Sequence, residues 1–116
     1  MRVSDSEMKI MRLLWERGAM TGMEVMESCG EDWKKTTVFT FLKRLCDKGM
    51  VTVRKEGKSS LYSAAQSEED YKRAQSEEFL DDMYSGSVKS FLAALCGGEK
   101  LGKKDIDEIK EWFETL

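Results

Sequence analysis

Two lysines and two threonines in a row, Lys34, Lys35, Thr36 and Thr37, open the stretch WKKTTVFTFLKRLCDKGM at residues 33–50, and Thr40, Lys43 and Arg44 follow them. Ammonium, guanidinium and hydroxyl groups with no acid among them until Asp47 suit phosphate oxygens and base edges. As a helix from about Lys34 to Lys48, the stretch carries Val38, Leu42, Leu45 and Cys46 on one stripe, with Phe41 at its margin. Thr36, Thr40, Lys43 and Asp47 fall on the opposite side, because positions three, four and seven apart share a face. Gly49 stands where a helix C-cap is wanted.

This pattern predicts a DNA recognition helix. Lys34 and Lys35, at the end where free N–H groups and the helix dipole attract anions, are assigned to phosphates. Thr36 and Thr37 reach either phosphates or base edges. Thr40 and Lys43, central on the outward face, are assigned to bases in the major groove, where lysine's partner is guanine O6 and N7. Arg44, at the edge of that face, clamps backbone. Phe39 flanks the face as its one apolar residue, and either touches a thymine methyl or packs on the first helix. Asp47 pairs with Lys43 or Arg44.

The elements that must hold this helix lie on both sides of it. Upstream, Ser4 to Glu7 reads as a capping-box start, and Ile10, Met11, Leu14 and Trp15 recur at helical spacing before Gly18. Thr21 begins a shorter helix with Met23, Val25 and Met26, ending near Cys29, and the turn GEDW at residues 30–33 leads into the basic helix. Helix, short helix, turn and basic helix make a helix-turn-helix unit. Downstream the period becomes alternating. Met50-Val51-Thr52-Val53-Arg54-Lys55 and Leu61-Tyr62-Ser63-Ala64 are two strand-like runs, with Glu56-Gly57-Lys58-Ser59-Ser60 as the loop and Gly57 supplying a positive φ. A hairpin in this place is a wing. Its Arg54, Lys55, Lys58 and Ser59 are expected either along the adjacent minor groove or on phosphates only.

The second half has another character. Ser67 caps a long helix with Tyr71, Ala74, Phe79, Leu80, Met83 and Tyr84. A further segment carries Val88, Phe91, Leu92 and Leu95. The last helix, opening near Gly102, places Ile106, Ile109, Phe113 and Leu116 on one side with Trp112 beside them. This is more apolar face than one chain can hide, and it predicts a homodimer. The residues assigned to that contact are Tyr71, Phe79, Met83, Val88, Phe91, Leu92, Leu95, Ile106, Ile109, Trp112 and Phe113.

Charge divides the chain at the same place. Residues 1–66 hold 12 Lys and Arg against 9 Asp and Glu, and residues 67–116 hold 7 against 13. Within residues 33–60 the balance is 8 against 2, so a basic patch is focused on a chain of net charge −3. The field near such a patch governs encounter with a polyanion, whatever the total.

The fold class expected is therefore mainly α with a small β-hairpin wing: a winged helix-turn-helix DNA-binding domain over residues 1–66 and a helical dimerisation region over residues 67–116. Other chemistries lack their residues. There is no histidine, and Cys29, Cys46 and Cys96 are scattered singly, which predicts reduced thiols and no metal site. No glycine-rich phosphate loop is present, and the acids at 68–70, 77–78 and 81–82 read as helix caps and solvated faces, so neither an enzyme nor a cofactor is expected. The absence of a long apolar run and of a signal-peptide pattern predicts a cytoplasmic protein. The competing reading is a winged-helix protein-interaction module. Such modules present an apolar or acidic face, and this one presents hydroxyls and lysines.

The stretch TTVFTFLKRLCDKGMV at residues 36–51 resembles the signature of the BlaI/MecI/CopY bacterial repressors, the penicillinase repressor family. That signature runs approximately T-T-V-x-T-x-L-x-R-L-x-x-K-G-x-V. Thr36, Thr37, Val38, Thr40, Leu42, Arg44, Leu45, Lys48, Gly49 and Val51 match it, and Gly57 and Tyr62 fit the basic wing that follows. The opening VSDSEMKIMRLLWERG and the closing DIDEIKEW are similar to the family's first and last helices, so the likeness spans almost the whole chain. It implies a dimeric winged-helix repressor on a palindromic operator in double-stranded DNA, controlling resistance or stress genes. In several relatives a membrane sensor-protease triggers derepression by cleavage in the fifth helix. The corresponding AALCGG at residues 93–98 lacks the asparagine–phenylalanine step of the staphylococcal members. The paired Cys-x-Cys motifs of the copper-sensing members are also missing, as are the basic residues that staphylococcal members carry near Thr36 and Phe39.

Overall fold

Ser4 and Glu7 start the first helix reciprocally. The Ser4 hydroxyl accepts from the Glu7 N–H at 3.2 Å, and the Glu7 carboxylate accepts from the Ser4 N–H at 3.0 Å. This is the capping box expected, and α1 runs Asp5–Arg17. A computed structural model describes residues 3–30 and 33–116 of the chain. Thr21 and Glu24 repeat the same device, at 3.2 and 3.0 Å, to open α2 at Gly22–Ser28. The turn expected at residues 30–33 falls partly outside the described residues. Helix α3 spans Lys35–Asp47 and stops before Gly49.

Short strands precede and follow this helix pair. Strand β1 is only Met20–Thr21, while β2 at Val51–Glu56 and β3 at Ser59–Ala64 form the hairpin. The sheet order is β1-β3-β2, antiparallel throughout, with Met20 opposite Tyr62 and Val53 opposite Tyr62 on the other edge. The wing's loop is tighter than the sequence implied. Only Gly57 and Lys58 connect the strands, and Ser59 and Ser60 belong to β3 opposite Glu56 and Lys55. Gly57 has φ +61°, the left-handed value that a two-residue hairpin turn demands at its first central position.

The core lies where α1, α2, α3 and the sheet meet. Ile10, Met11, Leu14, Val25, Val38, Leu42 and Leu45 are essentially inaccessible, and Met20, Cys29, Met50 and Val51 complete the cluster. The stripe expected on the basic helix is thus its buried side, with Cys46 half-buried beside it. This first compact unit extends over Met1–Tyr71. Trp15 holds its far end: the indole N–H donates to the Gln66 carbonyl at 3.0 Å, and its ring lies 5.4 Å from that of Tyr71. Tyr71 is 6% exposed as a result. Helical spacing assigns Tyr71 to the dimerisation stripe, but its ring is spent on the core of the first unit.

The second unit is Lys72–Leu116. Helix α4 runs Glu68–Tyr84, with its Asp70 N–H capped by the Ser67 hydroxyl at 3.1 Å. Helix α5 is Val88–Cys96, capped by Ser87, and α6 is Lys103–Glu114, where the Asp105 carboxylate accepts from the Gly102 N–H at 3.1 Å. Phe79, Tyr84 and Phe91 form a ring cluster with centroids 5.4–5.9 Å apart.

Candidate nucleic-acid interface

Burying Val38, Leu42 and Leu45 turns the other side of α3 outward. Lys34, Lys35, Thr36, Thr40, Lys43 and Arg44 are exposed, and Thr37 and Phe39 are half-buried. Lys34 is the N-cap and supplies no side-chain bond to the first turn, which contains no acid. Among the described residues no side chain caps the first N–H groups of α3, which leaves them available to an anion.

Further along, the side chains already have work within the chain. The Thr40 hydroxyl donates to the Thr36 carbonyl at 2.8 Å, so toward a base it acts as an acceptor or through its methyl group. Lys43 Nζ reaches Asp47 Oδ2 at 3.0 Å, the pairing that the sequence suggested, with both side chains mostly in solvent. The Arg44 guanidinium carbon lies 6.0 Å from the Phe41 ring centroid, on the flank of the face. Trp33 stacks edge-on to Phe41 at 5.1 Å, and Lys9 of α1 sits 5.0 Å over the Trp33 ring.

Lys48 departs from this face. Its ammonium contacts Glu7 Oε1 at 2.6 Å, on a carboxylate 2% exposed. Burial alone pushes the Glu7 carboxyl up. The Lys48 contact and the two Ser4 bonds outweigh that and hold it below the usual glutamate range. Glu7 Oε2 is buried without a hydrogen-bond partner among the described residues. One basic residue of the patch is therefore structural, tying the start of α1 to the end of α3.

The wing separates its basic residues by face. Side chains alternate along a strand, so Arg54 and Glu56 share one side of β2 and Lys55 takes the other. Arg54 is committed to Glu56 at 2.7 Å. Lys34, Lys35, Lys55 and Lys58 carry no ion pair among the described residues. Lys58 and Ser59, at the wing turn, join Ser60, Tyr62, Thr21, Gly22, Met23 and Phe39 around a groove of about 310 Å³ that runs between the wing, α2 and α3.

The chain matches the family model described as penicillinase repressor over residues 3–115. It belongs to the penicillinase repressor family. The penicillinase repressor of Bacillus licheniformis is 28% identical over 115 residues, covering 97% of this chain and 90% of that protein. The methicillin resistance regulatory protein MecI of Staphylococcus aureus (strain N315) is 26% identical, covering 93% and 89%. Among solved structures, the Bacillus licheniformis repressor BlaI, in its monomeric form bound to the blaP half-operator, is 32% identical with a TM-score of 0.53. That match covers 61% of this chain and 89% of the solved one. The chain is accordingly a winged-helix, DNA-binding transcriptional repressor and not an enzyme.

For a penicillinase repressor family member, the residues that sequence reasoning missed are those that set the interface rather than those that line it. Strand β1, the Glu7–Lys48 pair and the seat of Phe39 all join distant segments, and no local periodicity announces them. The Phe39 seat lies on α2. A Cβ built on Gly22 would overlap Cε1 and Cζ of Phe39, so the ring rests directly over the first residue of that helix. Gly22 in the sequence was the available signal, as a residue without a side chain at a helix start.

Proposed function

We propose that this repressor acts in the cytoplasm as a homodimer that places two α3 helices on a palindromic operator. Lys34, Lys35 and the first-turn N–H groups of α3 hold phosphates. Thr36, Thr37, Thr40 and Lys43 face the bases, Arg44 clamps backbone, and Lys55, Lys58 and Ser59 of the wing reach the neighbouring strand. Arg54, tied to Glu56, supports the wing and reaches the DNA only by exchanging that partner. Residues 1–66 carry this DNA-binding role and residues 67–116 the dimerising one.

The second unit lacks a core of its own, and this carries the reading. None of the residues of α5 or α6 is buried, and the only buried residue of α4 is Tyr71, which serves the first unit. The amphipathic α5 and α6 in that state need a second apolar surface, and an identical copy supplies a self-complementary one. Two half-sites then share the cost of ordering both partners, so a small interface per copy yields useful affinity. Release follows from any event that separates the copies, cleavage in α5 by a sensor protease among them.

Duplexes selected by the purified protein from a random pool test this. They are expected to converge on an inverted repeat with half-sites about 10 bp apart, one helical turn, or a multiple of it. Convergence on a lone half-site, or none at all, rules out the dimeric reading.

A further inference from the structure

Phe39 stands at the margin of the reading face of α3, where a polar side chain would be cheaper to expose. The contact with Gly22 accounts for it. Gly22 is buried, and its backbone is held on the side of the preceding residue by two independent devices. Thr21 pairs with Leu61 across the β1–β3 ladder and also caps α2 through Glu24. The peptide beneath the Phe39 ring is therefore a fixed floor. The ring occupies the volume that a Cβ at residue 22 would need, its Cε1 and Cζ lying far inside van der Waals contact of that position. The same ring lines the groove with Lys58 and Ser59 of the wing. One side chain thus touches or borders α2, α3 and the wing.

We propose that Gly22 and Phe39 form a size-complementary pair, with Phe39 as a positioning residue that sets how α2, α3 and the wing are presented to the duplex, and not as a reader of thymine. The positioning role rests on DNA binding through α3, whereas the pairing itself does not depend on DNA. Any side chain at residue 22 displaces the ring while leaving the capping box and the strand pairing in place, because the atoms it meets are the far end of a side chain with two rotatable bonds.

Three measurements test the pair. In the free protein, nuclear Overhauser contacts between the Phe39 ring protons and the Gly22 α-protons are expected, and in Gly22→Ala the contact to the α-proton of that position is expected to vanish. Absence of the contact in the wild-type protein overturns the pairing whether or not DNA is bound. On DNA, Gly22→Ala and Phe39→Ala should each weaken binding about tenfold, the scale of coupling between residues in contact. The loss should be equal for the selected site and for its point variants. The double variant, in which the new methyl group fills part of the vacated space, should recover most of the loss. Additive losses overturn the pair. Finally, replacing thymine by uracil removes the C5-methyl group alone. The penalty for that replacement should be the same in wild type and in Phe39→Ala. A penalty present in wild type and abolished in Phe39→Ala makes Phe39 a thymine reader and overturns the positioning role.

Discussion

Lys43 illustrates how a residue on a reading face is held before DNA arrives. It is paired with Asp47 at 3.0 Å, four positions along, with side chains 77% and 65% exposed. Exposed helical pairs of this spacing are worth about 0.3–0.5 kcal/mol, and less when the base precedes the acid. A lysine contact to guanine O6 and N7 discriminates by roughly 1–3 kcal/mol. The base contact would outweigh the ion pair, so under the proposed function Lys43 exchanges Asp47 for the base. Lys43→Ala is expected to cost about 1–3 kcal/mol on the selected site and to relax preference at one base pair of each half-site. Titrations of site variants read this directly, and an unchanged preference removes Lys43 from base recognition. Thr40 behaves differently. Its proton is already given to the Thr36 carbonyl, so the proposed base contact has only its oxygen lone pairs and its methyl group to use.

Between elements, one polar joint is the Glu7–Lys48 contact, which fastens the first turn of α1 to the C-cap of α3. Burial raises the Glu7 carboxyl, but the Lys48 and Ser4 bonds outweigh it and hold the group below its ordinary range. A depressed carboxyl contributes stability that is fully present above the unfolded-state value and is lost as pH falls through the folded one. Unfolding midpoints of the full chain should therefore hold steady for this group from neutral pH down to the ordinary glutamate range and fall below it. Glu7→Gln keeps an oxygen for the Ser4 N–H and removes the charge. It should lower the midpoint at neutral pH and flatten the acid limb, and an acid limb as steep as in wild type would assign the pH dependence to other carboxylates. Locally encoded features of these elements were legible in the sequence. The capping box at Ser4–Glu7, the helix start at Thr21, the stripe of Val38, Leu42 and Leu45, and the alternation around Gly57 each depend on neighbours a few residues away. Contacts between distant segments were not. Thr21 reads as a cap and is also a strand residue, because two residues are too few for alternation to appear. Tyr71 lies on the same helical stripe as residues of the second unit, and nothing in a period of 3.6 says which partner a given residue faces. The basic count of the wing likewise did not show that Arg54 and Lys55 lie on opposite faces.

At the scale of the whole molecule, the distribution of exposed apolar surface decides what the chain must do. Among the described residues, Met23 and Val53 are the exposed large hydrophobics of the first unit, while Phe79, Met83, Val88, Trp112, Phe113 and Leu116 all belong to the second. Acidic residues also concentrate there, with 13 Asp and Glu against 7 Lys and Arg over residues 67–116. The acidic residues of this surface repel phosphates, while its exposed apolar side chains are what support the proposed contact with a second copy. The choice of variant to test this matters. Phe91 sits 5.4 Å from Tyr84 and 5.9 Å from Phe79, so Phe91→Asp disrupts the second unit as well as any contact between copies. Val88 is the better probe: it is 54% exposed and is the first residue of α5, where an acid is favoured by the free N–H groups and the helix dipole. Val88→Asp should preserve helix content by circular dichroism and shift the sedimenting species from dimer to monomer. It should also reduce affinity for a two-half-site operator far more than for an isolated half-site, because only the former depends on linkage between copies. A Val88→Asp protein that still sediments as a dimer, with Phe113→Asp behaving alike, would place the contact between copies outside these helix faces.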